Sequence, residues 1–297
     1  MKKLYALILA LALMLAAVSA FADSGAAVTI VDAGEDLLYR TENVTVTGEA
    51  TFLLDSVVFK RAEVKYVQDG TNSLWQLKLR TPRPDKSEPG DKESGYTIIA
   101  NGGDVYVIEA VLPGFYKTTT TFPQSTILRQ SVELDLMNKL VHNLAKQADA
   151  LLGENAMTAA ETADGGTEIR IVMGEDVPDI VNTAMSMVYQ YLAKRYKGVN
   201  YDQVSSQYMG PIANYMTVTQ GILYTTEYMY LKQADITVVL DAAEELQAVS
   251  GSASVYLQTG GDGQHLLDVT FTLDMSGRGT STVDRFDPEA WGVVPVM

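Results

Sequence analysis

Cysteine is absent from the 297 residues, so disulfides, thiolate metal sites and a thiol nucleophile are all excluded. If the chain works outside the cytosol, its stability must come from the size of its core. Histidine is scarce, with only His142 and His265. The sequence contains no GxSxG, HExxH, P-loop or strand-linked GxGxxG pattern, so nothing in it calls for an enzyme, a cofactor or a bound metal. Asp262-Gly263 resembles a fragment of a calcium loop but lacks the repeated acids and the distant Glu, and reads as a hairpin turn. Basic residues are also few: 22 Lys and Arg against 37 Asp and Glu give a net charge of −15. A chain that acidic repels phosphate backbones, which argues against a nucleic-acid partner.

Long apolar runs are confined to the start. Lys2 and Lys3 precede an apolar stretch at 4–18 and then Ser19-Ala20-Phe21-Ala22. That order is expected of a cleavable secretory signal over 1–22, with small residues before the cut. The rival reading is an uncleaved membrane anchor, since the stretch could just span a bilayer. The small-x-small ending favours cleavage, with no stable membrane insertion afterwards. The expected destination is secreted or cell-envelope, outside the cytoplasm.

Beyond a lead-in at 23–43, alternation at period two dominates. Val44, Val46, Ala50, Phe52 and Leu54 alternate with Thr and Glu; Ala62, Val64 and Tyr66 alternate with Arg61, Glu63 and Lys65; Trp75, Leu77 and Leu79 alternate with Gln76, Lys78 and Arg80. Asp69-Gly70 is a hairpin signal between the last two runs. Further strands are expected at 96–100, 105–111 and 115–122, with an exposed Pro-rich loop at 81–94. Helical spacing then takes over: Met137, Leu140, Val141, Leu144, Ala148 and Leu151 form one stripe. A strand at 167–173 precedes a second helix, opened near Pro178 and closed by Gly198, whose broad apolar face includes Met185, Val188, Tyr191 and Leu192. Residues 222–230 read equally as strand or helix. Strands return around 236–240, 255–257 and 267–273.

Strands, then helices, then strands point to one α+β domain over 44–297, with a helical layer at 126–231. The expected fold is a strongly curved antiparallel β-sheet, a half-barrel, on two or three α-helices. Leu-Asp, Tyr-x-Gln and Asp-Gly recur in the two strand blocks (54–55 and 240–241, 66–68 and 256–258, 69–70 and 262–263), a hint of repetition that convergent hairpins also produce. Tyr and Met are concentrated between 185 and 230. They suit the wall of an apolar cavity or, more simply, the packing of helices on a sheet.

The segments Gly95-Tyr96-Thr97-Ile98-Ile99-Ala100-Asn101 and Val105-Tyr106-Val107-Ile108-Glu109, and the tail 279–288 ending Phe286-Asp287-Pro288, resemble the LolA-like lipoprotein-carrier superfamily. The chain is far longer than a minimal carrier of that kind. The resemblance implies a binding protein with an apolar cavity between curved sheet and helices, holding a lipid or a lipoprotein acyl chain. The inner face of the sheet (Phe52, Tyr66, Trp75, Leu77, Ile98, Val107) and the second helix (Met185, Val188, Tyr191, Leu192) would line it. The alternative is an envelope interaction or assembly protein with a filled core. Oligomeric state is not written in the sequence.

Overall fold

The computed structural model describes residues 24–82, 91–109, 114–119, 123–128, 132–146, 156–175, 177–179, 181–183, 186, 226–259 and 263–295. Residues 1–22, read as a leader, lie outside the described residues, as do Met185, Val188, Tyr191 and Leu192. Among the described residues, no helix is long and apolar enough to cross a membrane.

The alternating segments form β1 (Asn43–Leu54), β2 (Val57–Asp69), β3 (Asn72–Thr81), β4 (Lys92–Asn101), β5 (Asp104–Glu109) and β6 (Gly114–Thr119). After the helical segment come β7 (Met157–Glu161), β8 (Thr167–Met173), β9 (Thr226–Leu240), β10 (Leu246–Thr259) and β11 (Gly263–Ser276); β12 (Val294–Pro295) closes the chain. All twelve share one curved, unclosed sheet in the order β12-β6-β5-β4-β3-β2-β1-β11-β10-β9-β8-β7. Every pairing is antiparallel except β12 on β6. The two strand blocks meet where β1 pairs with β11, Phe52 lying opposite Val269.

The structure departs from the sequence pattern at several points. The loop expected at 81–94 is shorter, because Thr81 and Lys92 already pair across the β3–β4 ladder. The lead-in at 23–43 contains a 16-residue helix, α1 (Ser24–Tyr39), outside the helical layer expected at 126–231. That layer also gives up β7, and its end to β9, which settles 226–230 as strand. Helix α2 (Val132–Ala145) starts earlier than its apolar stripe indicated.

Helix α1 forms because it can bury a stripe. Ala27, Ile30, Val31 and Leu37 are all at most 6% exposed and share one apolar cluster with residues of the sheet. The sheet face that shares this cluster is termed the inner face. Helix α1 is also tied to the end of the chain: Arg278 donates from Nη1 to Thr41 Oγ1 at 3.0 Å, and its Nε lies 3.2 Å from Glu245 on the β9–β10 turn.

The outer face carries a second, smaller core of Ile99, Ile108, Phe115 and Phe286, with Tyr106 against it. The Phe286 ring lies 4.2 Å from Tyr106 and 5.1 Å, edge-on, from Phe115. Its backbone N–H donates to Asn101 Oδ1 at 2.9 Å. Asp287 then caps the short helix α3 (Pro288–Trp291), accepting from Glu289 N at 3.0 Å. The tail is thereby strapped across the outer face. Phe286→Ala is expected to lower stability by about 3 kcal/mol in urea unfolding, since it empties the centre of this cluster.

Candidate functional site

Side chains facing each other across an antiparallel pair lie on the same face, so the registers define transverse rows on the inner face. One row runs Val46–Tyr66–Trp75–Ile98–Val107–Tyr116 from β1 to β6. It unites four residues that the sequence assigned to a cavity wall: Tyr66, Trp75, Ile98 and Val107. Leu77 sits in the next row between Val64 and Tyr96. All five are buried, at 6–8% exposure. Tyr66 and Trp75 pack with ring centroids 5.5 Å apart. Burial pushes the Tyr96 phenol up, an effect partly offset by the neighbouring Trp75. This half of the inner face is filled core.

The β8–β10 half is filled as well, with Ile169, Ile171, Ile236, Val238, Val249 and Leu257 at 0–2% exposure. Between the two halves the packing is looser. Along the β1–β11 seam, Phe271 and Met275 are buried, whereas Val46, Ala50, Phe52 and Leu54 on one strand, and Leu267, Val269 and Leu273 on the other, are only partly buried. All of them are apolar. This partly open apolar strip, with buried core on either side, is termed the trough. Phe52 is the sequence-assigned residue that lies in it.

A row crosses the trough as Lys60–Phe52–Val269–Ala253–Ala234–Met173. Only Phe52 and Val269 of this row lie in the trough itself, since Ala234 and Met173 are buried in the filled β8–β10 half. Lys60 breaks its apolar character. The β1–β2 register shifts between Phe52 and Leu53, leaving Phe59 without an opposite residue, and such bulges re-aim neighbouring side chains. The residue is 4% exposed, and burial pushes its ammonium below the usual lysine range. Among the described residues, no hydrogen bond or ion pair reaches it. Sequence reading passed over Lys60, although its parity with Ala62, Val64 and Tyr66 places it on the inner face.

The histidines do other work. His265 Nδ1 meets Asp55 Oδ2 at 2.8 Å, while Leu266 N donates to Asp55 Oδ1 at 2.9 Å, which braces the β1–β2 turn on β11. Those two contacts hold the Asp55 carboxyl below its ordinary range. His142 on α2 meets α1, with Nε2 at 2.9 Å from Asp32 and Nδ1 at 3.3 Å from Glu35. A polar cleft of about 620 Å³ opens between these helices, lined by Tyr39, Arg40, Asp135, Asn138 and Lys139 among others. No group of three or more metal-ligating side chains is arranged to hold an ion among the described residues.

No family model matches the sequence, and no curated protein matches it. Among solved structures, a LolA superfamily protein from Nitrosomonas europaea is similar over 88% of this chain and 94% of that one, at 8% identity and a TM-score of 0.22. An N-terminal dehydratase from the difficidin assembly line is similar over 84% of this chain and 80% of that one, at 9% identity and a TM-score of 0.12. Neither match brings a ligand or an activity to this chain.

Proposed function

We propose that this is an exported, non-catalytic binding protein that holds an apolar or amphiphilic molecule, a lipid or an acyl chain, in the trough between curved sheet and helices. The observation that carries the reading is the half-covered apolar seam of β1 and β11, flanked on both sides by filled core. Contiguous apolar surface left partly open is costly in water and marks a place where something apolar binds. A polar group at one end and apolar walls elsewhere match the usual make-up of small-molecule sites.

The test uses the two tryptophans. Trp75 lies on the inner face, whereas Trp291 belongs to the outer tail and is 38% exposed. In a Trp291→Phe variant of the delipidated chain, titration with a dibrominated long-chain fatty acid is expected to quench Trp75 saturably. Quenching that never saturates, together with no lipid in native mass spectra of the purified protein, would overturn the reading. A partner-docking role has one observation in its favour: Tyr228 and Tyr230 stand out from β9, 44% and 40% exposed and stacked at 6.4 Å. Under that role the probe is not taken up.

A further inference from the structure

We propose that the cleft between α1 and α2 is a second binding site, built for a short dicarboxylate. The inference stands apart from the trough and does not need a lipid there.

Helical spacing assembles one wall of the cleft. Asp135, Asn138, Lys139, His142, Asn143 and Lys146 recur at intervals of three and four along α2 and the turn that ends it, so they share one face. The end of α1 supplies the other wall through Glu35, Tyr39 and Arg40. The space between them, about 620 Å³, is of the size that holds a small organic molecule. Every side chain of the lining carries a polar group, which argues against an apolar guest.

The charges in this lining do not cancel. Glu35 already faces His142 at 3.3 Å. Among the described residues, the exposed side chains of Arg40, Lys139 and Lys146 enter no ion pair or hydrogen bond, and Asp135 is the one lining carboxylate equally free. Three free cations against one free carboxylate leave an excess of two positive charges, in a protein whose net charge is −15. A local reversal of sign inside a concave surface concentrates anions there. The wall also holds an orphaned donor. Tyr39 Oη is closed off from solvent and makes no hydrogen bond of good geometry, with Asn138 beside it. Burial holds its phenol above the ordinary range, so it remains a neutral O–H. A ligand oxygen inserted beside Asn138 supplies the acceptor that this hydroxyl lacks.

The spread of the cations selects the kind of anion. Lys139 and Lys146 are seven residues apart, about 10 Å along a helix axis, and Arg40 lies on the opposite wall. Two carboxylates at the ends of a short chain match charges so dispersed. A phosphate monoester instead concentrates about −1.5 to −2 on a single group.

The experiment is titration calorimetry of the full chain with four probes: glutarate, its monomethyl ester, glycerol phosphate and 1,5-diaminopentane. Glutarate is expected to bind saturably and about tenfold or more tightly than its monomethyl ester. Lys139→Gln and Lys146→Gln, both at exposed positions, should each remove most of that difference. Tyr39→Phe should weaken glutarate about threefold or more, while the urea midpoint of the ligand-free chain holds or rises because an unpaired hydroxyl is discarded. Equal affinity for diacid and monoester, or a preference that survives both lysine changes, overturns the site. Tighter binding of glycerol phosphate overturns the dicarboxylate assignment, and tighter binding of the diamine overturns the sign of the ligand. A lower urea midpoint for Tyr39→Phe shows a hydroxyl already satisfied and overturns its part in the site. If none of the four binds, the cleft is not a binding site, whatever the trough does with a fatty acid.

Discussion

Replacing Gly251 with valine is expected to prevent the chain from reaching a stable fold, with a loss of about 4 kcal/mol or more. Gly251 sits in the middle of β10 between Ile236 of β9 and Phe271 of β11. A β-carbon there would run into the Asp235 carbonyl and come within 2.8 Å of Ile236 Cα. Both obstacles are backbone, so no rotamer change relieves them; only separating β9 from β10 would. Overpacking a core side chain usually costs about 1–3 kcal/mol, and a backbone collision in a central strand exceeds that. Against a total stability of about 5–15 kcal/mol, the variant should show no cooperative urea transition or a midpoint shifted to very low urea. Alanine at the same position carries the same β-carbon and should also be severely destabilised. Gly34 in α1 is the control: a β-carbon there meets nothing within 4 Å. Gly34→Ala should be neutral or stabilise by up to about 1 kcal/mol. Comparable losses at both glycines would show that close approach of β9 and β10 is not what excludes a side chain.

Trp75→Ala should cost about 3–5 kcal/mol, read as a lower urea midpoint with the slope retained. The indole is the largest side chain of its row, it is 6% exposed, and it touches Tyr66 while facing Ile98. Removing it leaves a void that neighbouring strands, held by full ladders on both sides, cannot collapse to fill. Trp75→Phe restores most of the volume and should recover more than half of the loss. Near-ultraviolet circular dichroism should fall in the alanine variant, because the other tryptophan lies in an exposed tail. A loss below about 1 kcal/mol would mean that this half of the inner face is loosely filled, and the contrast defining the trough would vanish.

Strand content was legible wherever burial is one-sided. Val44 to Leu54 and Ala62 to Tyr66 alternate because their odd and even positions meet different surroundings. The β4–β5 segments, by contrast, contain Ile98-Ile99 and Val107-Ile108, apolar on both faces, and the structure supplies the reason: the tail cluster under Phe286 covers the second face. Helix α1 was missed because Val28, Thr29, Ile30 and Val31 form a β-branched run and Gly34 interrupts it; tertiary burial of Ile30, Val31 and Leu37 outweighs that local preference. The ends of β3 and β4 were hidden by the prolines and charges beside them.

The candidate site was only half legible. Alternation identified Phe52, Tyr66, Trp75, Leu77, Ile98 and Val107 as inner-face residues, but it does not say which rows are filled and which are open. That depends on cross-strand register and on what α1 covers, both long-range properties. Lys60 escaped notice because a lysine in an alternating strand reads as an outward residue. The repeated dipeptides behave as convergent hairpins. Leu54-Asp55 and Leu240-Asp241 do end corresponding strands, yet Tyr66 faces inward while the pairing of Tyr256 with Tyr230 places it on the outer side.

A wide sheet that never closes on itself keeps two raw borders, each an invitation to polymerise through strand addition. One border is finished by five-residue β7, too short to template much; the other by two-residue β12, whose Pro295 has no amide hydrogen to offer. Rims finished in this way spare a broad sheet the need to close into a barrel in order to avoid pairing with its neighbours.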